Sequence, residues 1–198
     1  RAFQPLFHYI LLVWKHSKEY NTTTRMVVLI QEICNEIIQR AEGFLTETPL
    51  LEGEPDSAVN LLKESLRICI TFKNIFYRYQ TRANQECPSR PWRFQDSALF
   101  ARMDAFLERC HDVLDLMQTI LQFNKLERIE IGGTKGKILT ANVGQIFAEF
   151  NQAIFPFKMA EYSLVSVDSH KFEDDFYTFR LQVQDLERRI ASVIMQSM

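Results

Sequence analysis

Leu99, Met103, Phe106, Cys110, Val113, Met117 and Ile120 follow one another in steps of four and three without a miss. A strand turns its side chains over at every second residue, so only an α-helix puts these seven on one face. Phe100, Leu107, Leu114 and Leu121 add a second row at seven-residue spacing. A face that wide must be covered by at least two neighbours. The helix expected from about Asp96 to Lys125, roughly 45 Å long at 1.5 Å per residue, therefore belongs in a bundle rather than a two-stranded coiled coil.

The same rhythm recurs on both sides. Phe3 to Tyr20 reads as a first helix, apolar almost all round between Leu6 and Trp14, as suits a helix buried among others. After the cap-forming residues Asn21 to Thr24, a second helix carries Val27, Ile30, Cys34, Ile37, Ala41 and Phe44 on one stripe. A third starts near Pro55 or Asp56 and buries Val59, Leu62, Leu66, Cys69 and Phe76, with Leu61, Ile68 and Ile75 widening its face. Lys73 is the one break in that seam, and its stem is long enough to cover apolar surface. A fifth helix, opened by Thr140, points Val143, Ile146, Phe147, Phe150 and Ile154 inward. The last carries Phe172, Phe176, Phe179, Val183, Leu186, Ile190 and Val193 as the narrower stripe of an edge helix. Phe157 to Asp168 fits either an irregular link or a short helix. The expected fold is all-α, an elongated bundle of about five or six long helices, with 16 Phe to fill its interior. The polar loop Thr46 to Pro55 is the first candidate boundary, and Asn84 to Phe94, with Pro88 and Pro91, ends the third helix. Residues 1–83 and 84–198 are thus expected to be two helical bundle segments of one continuous fragment.

One stretch departs from the helical pattern. Leu126 to Lys137, LERIEIGGTKGK, alternates at period two before a Gly-Gly turn and predicts a short β-hairpin-like connector, with glycine supplying positive φ. A phosphate-binding loop needs four residues between its glycines and a hydroxyl after the Gly-Lys pair. Gly132 and Gly136 have only three residues between them, and Ile138 stands where the metal-binding hydroxyl is required.

No other chemistry is supported. The net charge of −2 is spread along the chain and gives no basic stripe for nucleic acid. Leu6 to Trp14 is broken by His8 and closed by Lys15, far short of the ~20 residues of a membrane span. The Lys-His-Ser-Lys-Glu run after Trp14 does not resemble a signal-peptide cleavage site, and the opening at Arg1 suggests a segment of something longer. Cys34, Cys69, Cys87 and Cys110 share no metal spacing and imply a reducing compartment. The histidines are scattered, and Cys110 and His111 are helix neighbours that do not face each other. The carboxylate pairs Asp112 with Asp115 and Asp174 with Asp175 read as solvated helix faces, so no catalytic, cofactor or metal residue is assigned. Trp92 fits either an interface anchor or a plug at the end of the bundle. Arg82, Arg90 and Arg93 fit an acidic partner less well than simple solvation or capping of helix-end carbonyls.

Trp92, Arg93 and Phe94, then Leu99 to Arg102, Phe106 to Arg109, Asp112, Lys125 to Glu127 and the run Ile131 to Gly136 closely resemble the N-terminal tail of dynein heavy chains. Phe172 to Phe176 and Leu186 to Ile190 are similar to the same region further on. The blocks mark Trp92, Phe94, Phe100, Arg102, Phe106, Arg109, Gly132, Gly133, Lys135 and Gly136 as motif positions of a structural kind. Their wording is most similar to an axonemal, outer-arm heavy chain. The resemblance implies a non-catalytic stem of successive helical bundles in the axoneme of a cilium or flagellum. Its implied partners are other dynein heavy chains, intermediate and light chains and axonemal docking proteins, with the microtubule reached only indirectly. Two alternatives remain: a generic helical scaffold or tether, including the tail of a cytoplasmic dynein, and a nucleotide-binding enzyme acting through Gly132 to Lys137.

Overall fold

A computed structural model of the chain describes residues 3–46, 55–130, 132–133, 135–166 and 170–197. Among these residues there are seven α-helices and no strand. They are α1 (Phe3–His16), α2 (Thr23–Thr46), α3 (Pro55–Glu86), α4 (Asp96–Phe123), α5 (Gly136–Ala153), the short α6 (Phe155–Met159) and α7 (Lys171–Ser197). The all-α bundle expected from the apolar periodicity is therefore the fold. The polar loop expected between the second and third helices lies at residues 47–54, outside the described residues.

The direction of each helix follows from its cross-contacts. Gln31 of α2 donates to the Ala98 carbonyl and Arg102 to Asn35, so α2 runs parallel to α4. Lys73 of α3 pairs with Asp104, and Phe76 meets Phe100 edge-on at 5.0 Å, which sets α3 against the same turns of α4. α1 lies along the C-terminal half of α3, from Phe3 beside Phe72 to Lys15 beside Glu86. Further along α4, Phe123 stacks on Phe150 of α5 at 4.1 Å and 11°. Phe150 in turn meets Phe179 of α7 at 6.1 Å. Arg189 grips Glu149 with two guanidinium nitrogens, fastening α7 to α5. All seven residues of the α4 stripe are buried, as is Phe100 in the second row, while Leu107, Leu114 and Leu121 are partly buried against the core. The cover is divided along the helix: α2 and α3 pack on the first part of α4, α7 packs on the second, and Phe150 of α5 closes over its end at Phe123.

Lys73 behaves as its position in the seam suggested. Phe72 takes the core site, and the Lys73 ammonium lies 5.1 Å from the centre of the Phe100 ring while pairing with Asp104.

Three boundaries differ from those expected. α1 stops at His16, not Tyr20, because the Ser17 hydroxyl accepts from the Glu19 and Tyr20 amides and turns the chain. α5 begins at Gly136, four residues before Thr140, since the Leu139 amide already bonds the Lys135 carbonyl and Leu139 is buried. The β-hairpin-like connector is not formed. Asn124–Arg128 winds into a 3-10 turn that extends α4, and only then does the backbone become extended at Ile129. Two-residue alternation gives a strand only when a second strand can take its backbone hydrogen bonds. Here the Ile129 amide returns to the Leu126 carbonyl, and Leu126 packs against the core.

Gly133 nevertheless has the expected positive φ, +92°, the only one among the described residues. A Cβ there would meet no neighbouring atom within 4 Å, so the cost of a side chain is purely one of backbone conformation. Gly133→Val is expected to lower stability by about 1 kcal/mol or more. Gly132→Ala, at an open site without that φ, should leave it nearly unchanged. Thermal unfolding of the two variants checks this, and equal melting temperatures would contradict it.

Candidate functional site

The motif positions fall into three groups. The first is an aromatic knot where α1, α3 and the start of α4 converge. Trp92 is 1% exposed and lies over Phe76, with ring centres 6.2 Å apart and planes at 23°. Trp14 meets it edge-on at 6.2 Å, and Phe94 closes the group at 6.0 Å from Trp92. The backbone is tied as firmly as the rings. The Trp92 amide donates to Asn84 Oδ1 at 2.6 Å, its carbonyl accepts from Gln80 Nε2 at 3.1 Å, and the Trp14 indole N–H donates to the Arg90 carbonyl at 2.9 Å. Trp92 is thus a plug at the end of the bundle, not an exposed anchor. Its own indole N–H is buried without an acceptor, so packing holds the ring in place. Arg82 pairs with Glu86, while Arg90 and Arg93 project outward.

The second group is centred on Arg109. Its side chain is 8% exposed, and Arg109 is the one charged residue buried among the described residues. Arg109 Nε donates to Glu173 Oε1 at 2.6 Å, and Nη1 reaches the carbonyls of Ser163 and Ser166. One guanidinium fork therefore ties α4 to the first turn of α7 and to the segment leading into it. The planar fork makes this possible, since its donors reach a carboxylate and two carbonyls at once. Nearby, Tyr162 donates to Asp175 at 2.6 Å, and burial followed by that carboxylate pushes the phenol well above its usual range. Ser163 completes the joint by donating to Glu42 of α2 at 3.2 Å. On α4, Phe106 is buried one turn before Arg109, and Arg102 bonds Asn35 at 3.0 Å.

The third group is the glycine turn. The Gly136 amide donates to the Gly133 carbonyl at 3.1 Å, and Lys135 is exposed just ahead of α5. An amide that a phosphate cradle would aim outward is used inside the turn.

Electrostatics agree with structural roles. Burial pushes the thiols of Cys34 and Cys110 up to about 12 and that of Cys69 up to about 11, which leaves them protonated and unreactive. Asp112 is also pushed up, first by burial and then by Glu108 and Asp115. No group of His, Cys, Asp or Glu among the described residues could hold a metal ion, and no described helix is long and apolar enough to cross a membrane.

The family described as "Dynein heavy chain, N-terminal region 1" matches residues 1–198, the whole chain. The chain belongs to the dynein heavy chains. It is 48% identical, over 98% of its length, to the dynein beta chain of the flagellar outer arm of Chlamydomonas reinhardtii. It is 34% identical over 96% to dynein axonemal heavy chain 11 of Sus scrofa, and 30% identical over 97% to the ciliary dynein beta chain of Tripneustes gratilla. In each case the chain spans only 4% of the relative's length. This dynein segment is N-terminal tail of the axonemal type, in keeping with relatives named for flagella, cilia and axonemes.

The motif blocks of the dynein segment single out Arg109 but not its partner. The signal was present: Arg109 falls three residues after Phe106 and four before Val113, beside the core stripe, so a carboxylate partner was required. Glu173 lies within another of the blocks, yet nothing in the spacing pairs it with Arg109. Replacing Arg109 leaves Glu173 and two carbonyls without their donor, although Glu173 is 37% exposed and recovers part of the loss from water. Arg109→Met is expected to lower stability by about 2–3 kcal/mol, and Arg109→Lys to recover only part of that because an ammonium lacks the fork. Urea denaturation measures both, and a lysine variant equal to the parent would contradict the role of the fork.

Proposed function

We propose that this segment is a non-catalytic part of the stem of an axonemal dynein heavy chain. It serves association of heavy chains, assembly of intermediate and light chains, and docking of the motor on ciliary doublet microtubules through axonemal docking proteins. The observation that carries this reading is the match of the family's N-terminal region to every residue of the chain. The interior supports it: the motif side chains Trp92, Phe100, Phe106 and Arg109 are buried in packing or in a structural ion pair. A segment built this way transmits force and presents its outer surface to partners, and ATP hydrolysis falls to other parts of the heavy chain. Residues 1–83 and 84–198 are two bundle portions of one continuous stem fragment, and the continuity is supported by α4 packing against α2 and α3 across that boundary.

Affinity capture tests the proposal. The folded segment is expected to retain outer-arm intermediate chains or a sister heavy chain, and capture of neither would count against it. In the same samples, ATP with Mg²⁺ is expected to bind the native segment no better than a Lys137→Ala version. Binding that Lys137→Ala abolishes would overturn the non-catalytic reading.

A further inference from the structure

α1 covers only part of the surface that α3 offers it. It has 14 residues against the 32 of α3, and its first residue already lies beside Phe72, with ring centres 5.3 Å apart. Upstream of Phe72, α3 therefore has no α1 next to it. In that place is an open groove of about 500 Å³ walled by Phe3, Ile33, Ile37, Ala41 and Ile68. Ile33, Ile37 and Ala41 recur every four residues along α2, the ridge into which another helix packs. On α3, Leu61 and Ile68 continue the row of Phe72 but are only partly buried. The groove is not a separate pocket: Phe3 is at once the start of α1 and a wall of the groove, so the groove extends the α1 interface beyond the end of α1. Its rim is acidic on one side, with Glu32 and Glu36 exposed and Glu36 only 3.9 Å from Arg40.

We propose that this groove seats a helical segment of the same polypeptide from directly upstream of Arg1, running along the path of α1. The walls on α2 extend from Glu32 to Ala41, about 15 Å at 1.5 Å per residue, which takes about ten residues or three turns of helix. Such a segment places apolar side chains at three-four spacing over Ile33, Ile37 and Ala41, and a lysine or arginine toward Glu32. The proposal concerns contacts within one polypeptide and stands apart from the identity of the stem's partners.

Photocrosslinking in the intact heavy chain tests it. Ile37 and, separately, Ile33 are replaced by p-benzoylphenylalanine; both are only partly buried, so the probe faces the groove without displacing the core. After irradiation, mass spectrometry is expected to find both positions linked to the same polypeptide within about ten to fifteen residues before Arg1. A probe at Gln39, exposed on the same helix but absent from the groove wall, should not make that link. Links from Ile33 and Ile37 to residues 47–54, links to another polypeptide, or no link from either position would each overturn the proposal.

Discussion

Two apolar rows on one helix are the constraint on which the structure depends. α4 cannot bury both against a single neighbour, and the chain meets the requirement by packing α2 and α3 on it from before and α7, with the Phe150 ring of α5, from after. Much of the architecture follows from this. α3 and α2 take the first turns of α4, where Phe76 and Phe100 lock edge-on. α5 and α7 take the last turns, where Phe123 stacks on Phe150. Burial of large aromatic side chains stabilises by roughly 1.5–3 kcal/mol each, more than an exposed ion pair gives. Packing therefore sets the fold, and the surface pairs between helices refine its register.

Arg109 is the exception that joins the two modes. A buried guanidinium is costly unless its partners are fixed, so the Arg109–Glu173 pair as a whole adds less net stability than two apolar residues of similar volume could, whereas removing one member alone is destabilising. What it contributes is geometry. Glu173 and the Ser163 and Ser166 carbonyls can reach it only when α7 enters at one position against α4. A fixed angle between successive helices gives a physical reason for a buried charge at this position. The Trp92 knot does similar work just before the start of α4, where the link from α3 is held by ring packing and by side-chain bonds to the Trp92 backbone.

The helices were legible in the sequence because their stripes are long and uninterrupted. Every residue of the α4 stripe proved buried, as did six of the seven on α7, with Ile190 partly buried. The features that were not legible depended on local competition or on distant partners. The Ser17 hydroxyl ended α1 early, a contest between side chain and backbone that periodicity does not register. Leu126 to Ile131 had the alternation of a strand but no second strand to pair with, and the described part instead closed into a 3-10 turn. The motif residues were legible as a family signature but not as a site. Their roles came from partners such as Phe76, Asn84 and Glu173, up to 64 residues away, which spacing alone could not assign.

If α4 is the shared support, the helices on its two sides cannot lose their structure independently. Hydrogen exchange followed by mass spectrometry across a urea series measures this directly. Amides of α3 between Cys69 and Tyr79 and of α7 between Phe176 and Leu186 should lose protection over the same narrow range of urea. Loss of protection in one set while the other stays fully protected would contradict a single bundle organised on α4.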